Sequence, residues 1–174
     1  MSDVFFQDQM SRCTPSLRAF AISLSGNGDR ADDLVQETLM RAWANRGSFQ
    51  VGTNFPAWTF TILRNLFRSE YRKRRREVED SEGNYAATLK TQPMQLATLE
   101  FDELRIALER LPADQREAIL LVGASGFSYE EAADICGCAM GTIKSRVSRA
   151  RAKLATTLQY DGIRDAVMDS VVHA

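Results

Sequence analysis

The sequence predicts an all-α protein of two small helical domains joined by a flexible linker. Three observations support this fold class. Apolar residues recur at spacings of three and four along nearly the whole chain, which is typical of amphipathic helices. No segment shows the apolar–polar alternation of a half-buried strand. One acidic, polar stretch that contains Gly83 interrupts the helical pattern from Glu77 to Pro93, so we expect a linker there.

Three helices are expected before this linker. The first ends at the turn sequence SGNG, and the second carries acidic residues in its first turns, where carboxylates stabilise a helix N-terminus. A Gly- and Asn-rich loop, residues 45–54, precedes the third helix, which Thr53 or Asn54 is expected to cap. The apolar face of the first helix consists of Leu17, Phe20, Ala21 and Leu24. The buried side of the third consists of Phe55, Trp58, Ile62, Leu63, Leu66 and Phe67.

Four helices are expected after the linker. The fourth ends at Pro112, and the fifth, with the sequence DQREAILLV, is broken by GASGF. Ser128 and Glu131 have the S-x-x-E spacing of a capping box, which predicts the start of a sixth helix that stops at Gly137. The seventh begins just past Cys138, and its inward face is predicted to be Ile143, Val147, Ala150 and Leu154. The predicted organisation is a first domain at 1–78, a linker at 79–96, a second domain at 97–158 and a tail at 159–174.

Composition and charge exclude several classes of protein. The 174 residues are 44% hydrophobic and 26% charged, which fits one or two small soluble domains. No apolar run reaches the roughly 18 residues of a membrane span, and the first residues lack a secretory signal. We therefore expect a cytoplasmic protein with reduced cysteines. The net charge of -1 conceals two basic clusters, because residues 64–76 hold seven basic residues and residues 139–154 hold five with no acid. Two such clusters favour a protein that contacts a polyanion twice.

The last two helices have the signals of a helix-turn-helix. Gly137 suits a turn that needs positive φ, Ala133 is small enough for a helix crossing, and Ile143 provides an inward anchor. Lys and Arg on the outward face of the seventh helix suit guanine, and Ser suits bases or phosphates, so this face fits a DNA major groove. Two packed helices with a basic surface are the alternative. The outward face is formed by Lys144, Ser145, Ser148 and Arg149.

The sequence gives little support for a metal site or for a catalytic site. A structural zinc site needs about four Cys or His ligands, but only Cys13 and His173 could join Cys136 and Cys138. The Cys-x-Cys spacing also differs from the Cys-x-x-Cys of redox motifs. We therefore expect small apolar residues at a helix crossing and no metal. The sequence contains no phosphate-binding glycine loop, nucleophile elbow or positioned histidine, so we expect neither an enzyme nor a cofactor.

Aromatic residues crowd the basic helix of the first domain and the loop before it. Aromatics beside basic residues can stack exposed bases and hold a single strand. Most of these rings must nevertheless form core, and we expect Trp43, Trp58 and Phe67 to be buried. Only the loop and an arginine stripe are then left as contact surface. The stripe is predicted to consist of Arg64, Arg68, Arg72 and Arg75.

These segments resemble a known family. DRADDLVQETLMRAW followed by FPAWTFTILRNLFRSEYRKRRRE is similar to region 2 of extracytoplasmic-function sigma factors, and LPADQREAILLVGASGFSYEEAADICGCAMGTIKSRVSRARAKL is similar to their region 4. The resemblance covers about residues 17–158. The segment ILRNLFRSEYRKRRREVED is similar in sequence to the corresponding segment of the EcfG-type general stress response sigma factors of alphaproteobacteria.

The resemblance implies roles for particular residues. Region 4 would read the -35 promoter element, and region 2 would receive a flipped base of the -10 element. Core polymerase would be bound through Asp33, Gln36 and Glu37. The -35 element would be read by Lys144, Ser145, Ser148 and Arg149, with phosphates contacted by Thr142 and Arg146. The flipped base would enter the loop Phe49–Asn54 beside Asn65, with phosphates held by Arg64, Arg68, Arg72 and Arg75.

The resemblance also implies partners. These are core RNA polymerase, through its β′ clamp helices and β flap, promoter DNA, and an anti-sigma factor of the NepR type, with no small-molecule substrate. Two alternatives differ in their contact with DNA. A sigma-mimicking adaptor would bind an anti-sigma factor without recognising promoters, but its usual receiver domain has no room in two helical lobes. A conventional helix-turn-helix regulator would leave the arginine–aromatic helix of the first domain unexplained.

Overall fold

A computed structural model describes residues 3–80 and 99–160, which contain helices and no strand. The chain divides into two compact units between Gln92 and Pro93, inside the predicted linker at 79–96. Within the described ranges, no helix combines the length and the apolar character needed to cross a membrane.

In residues 3–80 the first unit is a bundle of three helices: α1 (Asp3–Ser25), α2 (Gly28–Ala44) and α3 (Phe55–Asp80), with a short 3-10 turn, Arg46–Ser48, between the last two. The predicted apolar face of α1 is buried as expected. The helix begins at Asp3, about four turns before Leu17, where the predicted apolar face starts, and Phe6 and Cys13 extend the buried face. The residues that fill the centre of the unit are Phe6, Leu17, Leu34, Phe60 and Leu63.

Asparagine side chains begin two of these helices. The Asn27 side chain accepts a hydrogen bond from the Arg30 N–H at 2.9 Å at the start of α2. Of the two caps predicted for α3, Asn54 accepts a hydrogen bond from the Ala57 N–H at 3.1 Å. The Thr53 hydroxyl instead donates to the Gln50 carbonyl at 2.7 Å. The cap therefore joins α3 directly to the end of the 45–54 loop.

The predicted start of the linker at Glu77 is wrong, because α3 continues to Asp80. The apolar periodicity does fade there, but Arg and Glu have high helix propensity and prolong a helix without burying a face. Residues 81–98 lie outside the described ranges, so the rest of the predicted linker stays a prediction. The predicted tail is described only at Gln159 and Tyr160, which complete the last helix.

The described part of the second unit, residues 99–160, contains four α-helices: α4 (Leu99–Glu109), α5 (Ala113–Ile119), α6 (Tyr129–Cys136) and α7 (Met140–Tyr160). The long α7 packs against the other three, so it forms the spine of the unit. Its predicted inward face is confirmed, since all four residues are buried. A single stripe at heptad-like spacing thus organises the whole unit. The stripe consists of Ile143, Val147, Ala150 and Leu154.

The predicted fifth helix changes geometry at its end. Residues Leu120–Ala124 form a π-helical turn, in which the Ser125 N–H donates to the Leu120 carbonyl at 2.9 Å. The predicted break at GASGF is therefore two residues early, because Gly123 and Ala124 belong to this turn; the chain leaves it at Gly126, which has a φ of 73°. Phe127 then buries its ring, which fixes the approach of the chain to α6.

Candidate nucleic-acid interface

The turn between α6 and α7 has the predicted helix-turn-helix construction. The Ser128 hydroxyl accepts from the Glu131 N–H at 3.1 Å, while the Ser128 N–H donates to the Glu131 carboxylate at 2.9 Å. This reciprocal pair is the predicted capping box. Gly137 ends α6 at φ 61° and ψ 42°, and the Cys138 N–H closes the turn on the Ala133 carbonyl at 3.1 Å. The orientation of α7 is therefore set by local hydrogen bonds.

The outward face of α7 presents its cations at the surface. Lys144, Ser148 and Arg149 are exposed, whereas Ser145 and Thr142 are half-buried. The Ser145 hydroxyl donates to the Thr142 carbonyl at 2.9 Å, so it is bonded within the helix. The predicted residues therefore lie on one face of α7, with two cations and one hydroxyl at the surface, and the Lys144 ammonium lies 6.0 Å from the centre of the Tyr129 ring. This is the arrangement that direct base readout in a major groove requires.

Arg146 is held inside the second unit. Its Nε atom lies 3.1 Å from the Asp114 carboxylate of α5, and its Nη1 atom lies 3.8 Å from the Cys138 sulfur. The side chain is 21% exposed. The predicted phosphate contact of Arg146 stays a prediction, and the guanidinium already has an acidic partner. Sequence reasoning missed this pair because Asp114 is indistinguishable from an ordinary acid in the first turn of a helix.

The two cysteines beside Gly137 occupy different environments. Cys136 is buried, as predicted for a packing residue, and Cys138 is half-buried; neither forms a disulfide. Within the described ranges, no three Cys, His, Asp or Glu residues gather at a position that could hold a metal ion. Packing around the turn accounts for Cys136.

The arginine stripe of the first unit is shorter than predicted. Arg68 and Arg72 are exposed on α3, and Asn65 is exposed beside them. Arg64, however, is only 5% exposed, so its predicted place on the outer face is wrong. It follows Leu63 and lies one turn after Phe60, at the margin of the apolar side, where a long side chain is covered by its neighbours. The side chain of Arg75 lies outside the described residues. The phosphate contacts stay predictions.

The loop before α3 has a buried base and an exposed rim. Phe49, predicted to meet a flipped base, is 8% exposed, and its ring lies 5.2 Å from Phe55 and 5.3 Å from Trp58 between centroids. Gln50 to Asn54 are exposed. Phe49 therefore forms the buried floor of the loop. A base that entered the loop would lie above the Phe49 ring, beside the exposed residues. Trp43, Trp58 and Phe67, predicted to be buried, are half-buried.

The acidic face of α2 is exposed as expected. Asp33 and Gln36 point outward, while Glu37 pairs with Arg41 one turn later at 2.6 Å. Met40, which the sequence analysis did not select, is 60% exposed on the same helix. A flexible apolar side chain beside carboxylates and amides suits a protein partner better than a nucleic acid.

Arg30 joins α2 to the basic helix and was also missed. Its side chain is 13% exposed, lies 3.4 Å from the Glu70 carboxylate and stands 5.3 Å from the centre of the Phe67 ring. Burial lowers the pKa of Arg30 and nearby Arg74 lowers it further, while Glu70 opposes both effects. Glu70 is the only acid among residues 64–76, so Arg30 neutralises the one negative charge on that surface.

Comparison with known proteins agrees with this architecture. The Sigma-70 region 2 family matches residues 10–77, and the Sigma-70, region 4 family matches residues 101–154. The ECF RNA polymerase sigma factor EcfG of Rhodopseudomonas palustris (strain TIE-1) is 70% identical over 168 residues, which are 97% of this chain and 93% of that protein.

Two solved structures are similar throughout. The sigma factor RpoE of Bartonella quintana, crystallised with the anti-sigma factor NepR, is 57% identical with a TM-score of 0.81, covering 90% of this chain and 98% of that one. CnrH, solved with the cytosolic domain of CnrY, is 29% identical with a TM-score of 0.70 and 92% coverage of each chain.

A helical region 2 unit followed by a region 4 helix-turn-helix defines the sigma class of transcription factors, which is not a class of enzymes. Within that class, the chain belongs to the extracytoplasmic-function RNA polymerase sigma factors. The family resemblance inferred from the sequence is therefore confirmed, and so are its all-α fold and its two helical domains.

Proposed function

We propose that this chain binds core RNA polymerase and directs initiation at promoters of general stress response genes. The observation that carries the proposal is the outward face of α7, where Lys144, Ser148 and Arg149 are exposed on a helix fixed by a capping box and a glycine turn. Such a face has the donors that read guanine in a major groove. Within a sigma factor, that face recognises the -35 element.

The second DNA contact is the surface of the first unit around α3. Arg68 and Arg72 hold phosphates of the -10 element, and Asn65, exposed on the same helix, takes part with the loop in receiving an extruded base. Extrusion costs a few kcal/mol of stacking, which the pocket must return. The aromatic floor under the loop supplies a rigid surface for this purpose, because Phe49 packs against two further rings.

Core polymerase binds the exposed face of α2. Asp33, Gln36 and Glu37 provide polar contacts to the β′ clamp helices, and Met40 adds an adaptable apolar contact. The second unit is held by the β flap. Once both units are fixed on the polymerase, recognition of the second promoter element becomes effectively intramolecular, so the holoenzyme binds promoters far better than the free chain.

Regulation operates by sequestration. The similar RpoE of Bartonella quintana was crystallised with NepR, and we assign an anti-sigma factor of that type to this chain. A partner that covers Asp33 and Gln36 would exclude the polymerase without altering the DNA-reading face. The protein acts where the polymerase acts, which places it in the cytoplasm.

Run-off transcription tests the proposal. Purified core polymerase is combined with the full chain and a library of duplexes that vary separately in the -35 and -10 elements. We expect transcripts from a narrow set of promoters, and none from core polymerase alone. Binding to an anti-sigma factor without any promoter-dependent transcript would instead identify a sigma-mimicking adaptor. Promoter binding without core polymerase would point to a conventional regulator.

A further inference from the structure

The 45–54 loop, whose residues 49–54 are proposed to receive the base, is joined to the neighbouring helices by hydrogen bonds of Asn45 and Asn54, and two side chains between them attach it to the rest of its unit. The first is Phe49, which packs on the aromatic cluster described above. The second is Arg46, whose guanidinium stacks on the Trp43 ring at 4.7 Å and donates to the Trp43 carbonyl at 3.1 Å. Between Phe49 and α3, the loop exposes Val51 and its neighbours. Its orientation therefore depends on what holds these two points.

The beginning of α1 holds both. Phe6 is 1% exposed, and its ring lies edge-on to Trp43 at 5.9 Å, Phe55 at 5.0 Å and Trp58 at 6.0 Å. It therefore supports the rings on which Phe49 rests. Asp3, one turn earlier on α1, lies 3.3 Å from the Nε atom of Arg46. Residues three apart share one side of a helix, so a single helix end reaches both attachments.

Core packing alone does not explain this arrangement. The Asp3–Arg46 pair is exposed, at 65% and 43%, and exposed pairs contribute little to folding. The position of the pair matters more than its energy, because it holds Arg46 near the start of the loop. A site that discriminates bases must hold its contacts within about 0.5 Å, which requires a supporting shell.

We propose that Asp3 and Phe6 are positioning residues that set the orientation of the 45–54 loop and thereby the base selectivity at the -10 element. The proposal rests on the proposed function of this loop. Neither residue contacts DNA; both act through Arg46 and the aromatic floor.

Phe6→Leu tests the aromatic support, with Phe20→Leu as the matched control. Both rings are buried in α1, at 1% and 2% exposure, but Phe20 packs on Phe60 at 5.1 Å, away from the loop. Holoenzyme made with each full-length variant is assayed on the promoter library. We expect Phe6→Leu to reduce -10 base discrimination at least about fivefold while -35 discrimination is unchanged. Phe20→Leu is expected to leave both preferences as in the wild type.

Asp3→Asn tests the second support, with Arg12→Ala as the control because Arg12 forms an exposed pair with Asp8 on the same helix. We expect Asp3→Asn and Arg46→Ala each to relax -10 discrimination, and the double variant to match Arg46→Ala. If Arg46 contacted phosphate directly, removing the Asp3 charge would instead strengthen binding to every sequence and leave base preference unchanged.

The outcomes separate this inference from the function on which it rests. A wild-type holoenzyme without any base preference at the -10 element would refute both the proposed function of the loop and the positioning role of Asp3 and Phe6. A selective wild type whose Phe6→Leu and Phe20→Leu variants lose output equally, with the same base preference, overturns the positioning role alone. Circular dichroism melting of each variant identifies any loss of output that comes from unfolding.

Discussion

Arg146 of α7 and Asp114 of α5 form an ion pair with 3.1 Å between Nε and the carboxylate oxygen, so the reading helix is tied to a helix outside the helix-turn-helix pair. The pair is partly exposed, and we expect it to contribute about 0.5–1 kcal/mol to the stability of the second unit. The pair also holds the Arg146 guanidinium on the side of α7 that packs against α5.

Asp114→Asn is expected to release that cation. The variant loses roughly 0.5–1 kcal/mol of unfolding free energy, while Arg146 becomes available to a phosphate. The slope of log binding constant against log salt, measured with holoenzyme on a promoter duplex, then steepens by about 1. An unchanged slope would show that Arg146 either already contacts phosphate or cannot reach one. Arg146→Ala in the Asp114→Asn background must abolish the increase.

Arg149→Ala is expected to weaken promoter binding by about 1–3 kcal/mol and to relax base choice in the -35 element. Arg149 is exposed on the outward face, and Lys144→Ala gives a parallel test. Lys153, also exposed but one turn farther along α7, provides the control. Because the first turns of a recognition helix meet the bases, Lys153→Ala is expected to lower affinity uniformly or leave it unchanged. Equal selectivity of all three variants would refute the assigned face.

Gly137→Ala is expected to destabilise the second unit by about 1–2 kcal/mol, because an L side chain at a φ of 61° is strained. A Cβ atom there would meet no other atom within 4 Å, so the cost is conformational and not steric. For a unit of this size, thermal unfolding would shift by roughly 4–8 °C per kcal/mol. Gly141→Ala is the matched control: it also has open space but lies inside α7, where alanine is favoured. A larger loss at Gly141 than at Gly137 would contradict the prediction.

Arg30→Met is expected to weaken promoter binding through Glu70. Without its partner, Glu70 is left as a negative charge beside the exposed arginines of α3, and it can capture Arg74 one turn later. We expect a loss of about 1 kcal/mol in binding and a salt slope shallower by about 1. Glu70→Gln in the same chain restores both quantities. If the double variant binds as poorly as Arg30→Met, the effect comes from packing against Phe67.

Acid titration of Asp32 reports the contact between α1 and α2. The Arg18 guanidinium donates to both Asp32 oxygens, at 2.6 and 3.2 Å, and lowers the pKa of that carboxyl. Because folding lowers the pKa of Asp32, its carboxylate stabilises the folded state at pH values above its unfolded pKa of about 3.9. This contribution is lost as the pH falls through the pKa of Asp32 in the folded state. Arg18→Ala is expected to raise the pKa of Asp32, as measured by NMR, whereas Arg12→Ala leaves it in place. An unchanged value after Arg18→Ala would contradict this pairing.

Local signals made most of the fold predictable. The capping box at Ser128, the turn at Gly137 and the inward stripe of α7 each depend on residues within about three turns of one another, so the sequence displays them directly. The places where prediction failed depend on distant neighbours. The burial of Arg64, the packing of Phe49 on Trp58 and the pairing of Arg146 with Asp114 are tertiary contacts, which no local period reveals.

The reciprocal hydrogen bonds of Ser128 and Glu131, with the closed turn at Cys138, are complete without any nucleic acid. The α6–α7 pair is therefore preorganised, and docking it on duplex DNA incurs little ordering entropy. Its promoter affinity is limited by how few side chains α7 presents. The side chains that α7 presents are in place before the helix meets the DNA, so binding needs no folding step in this unit.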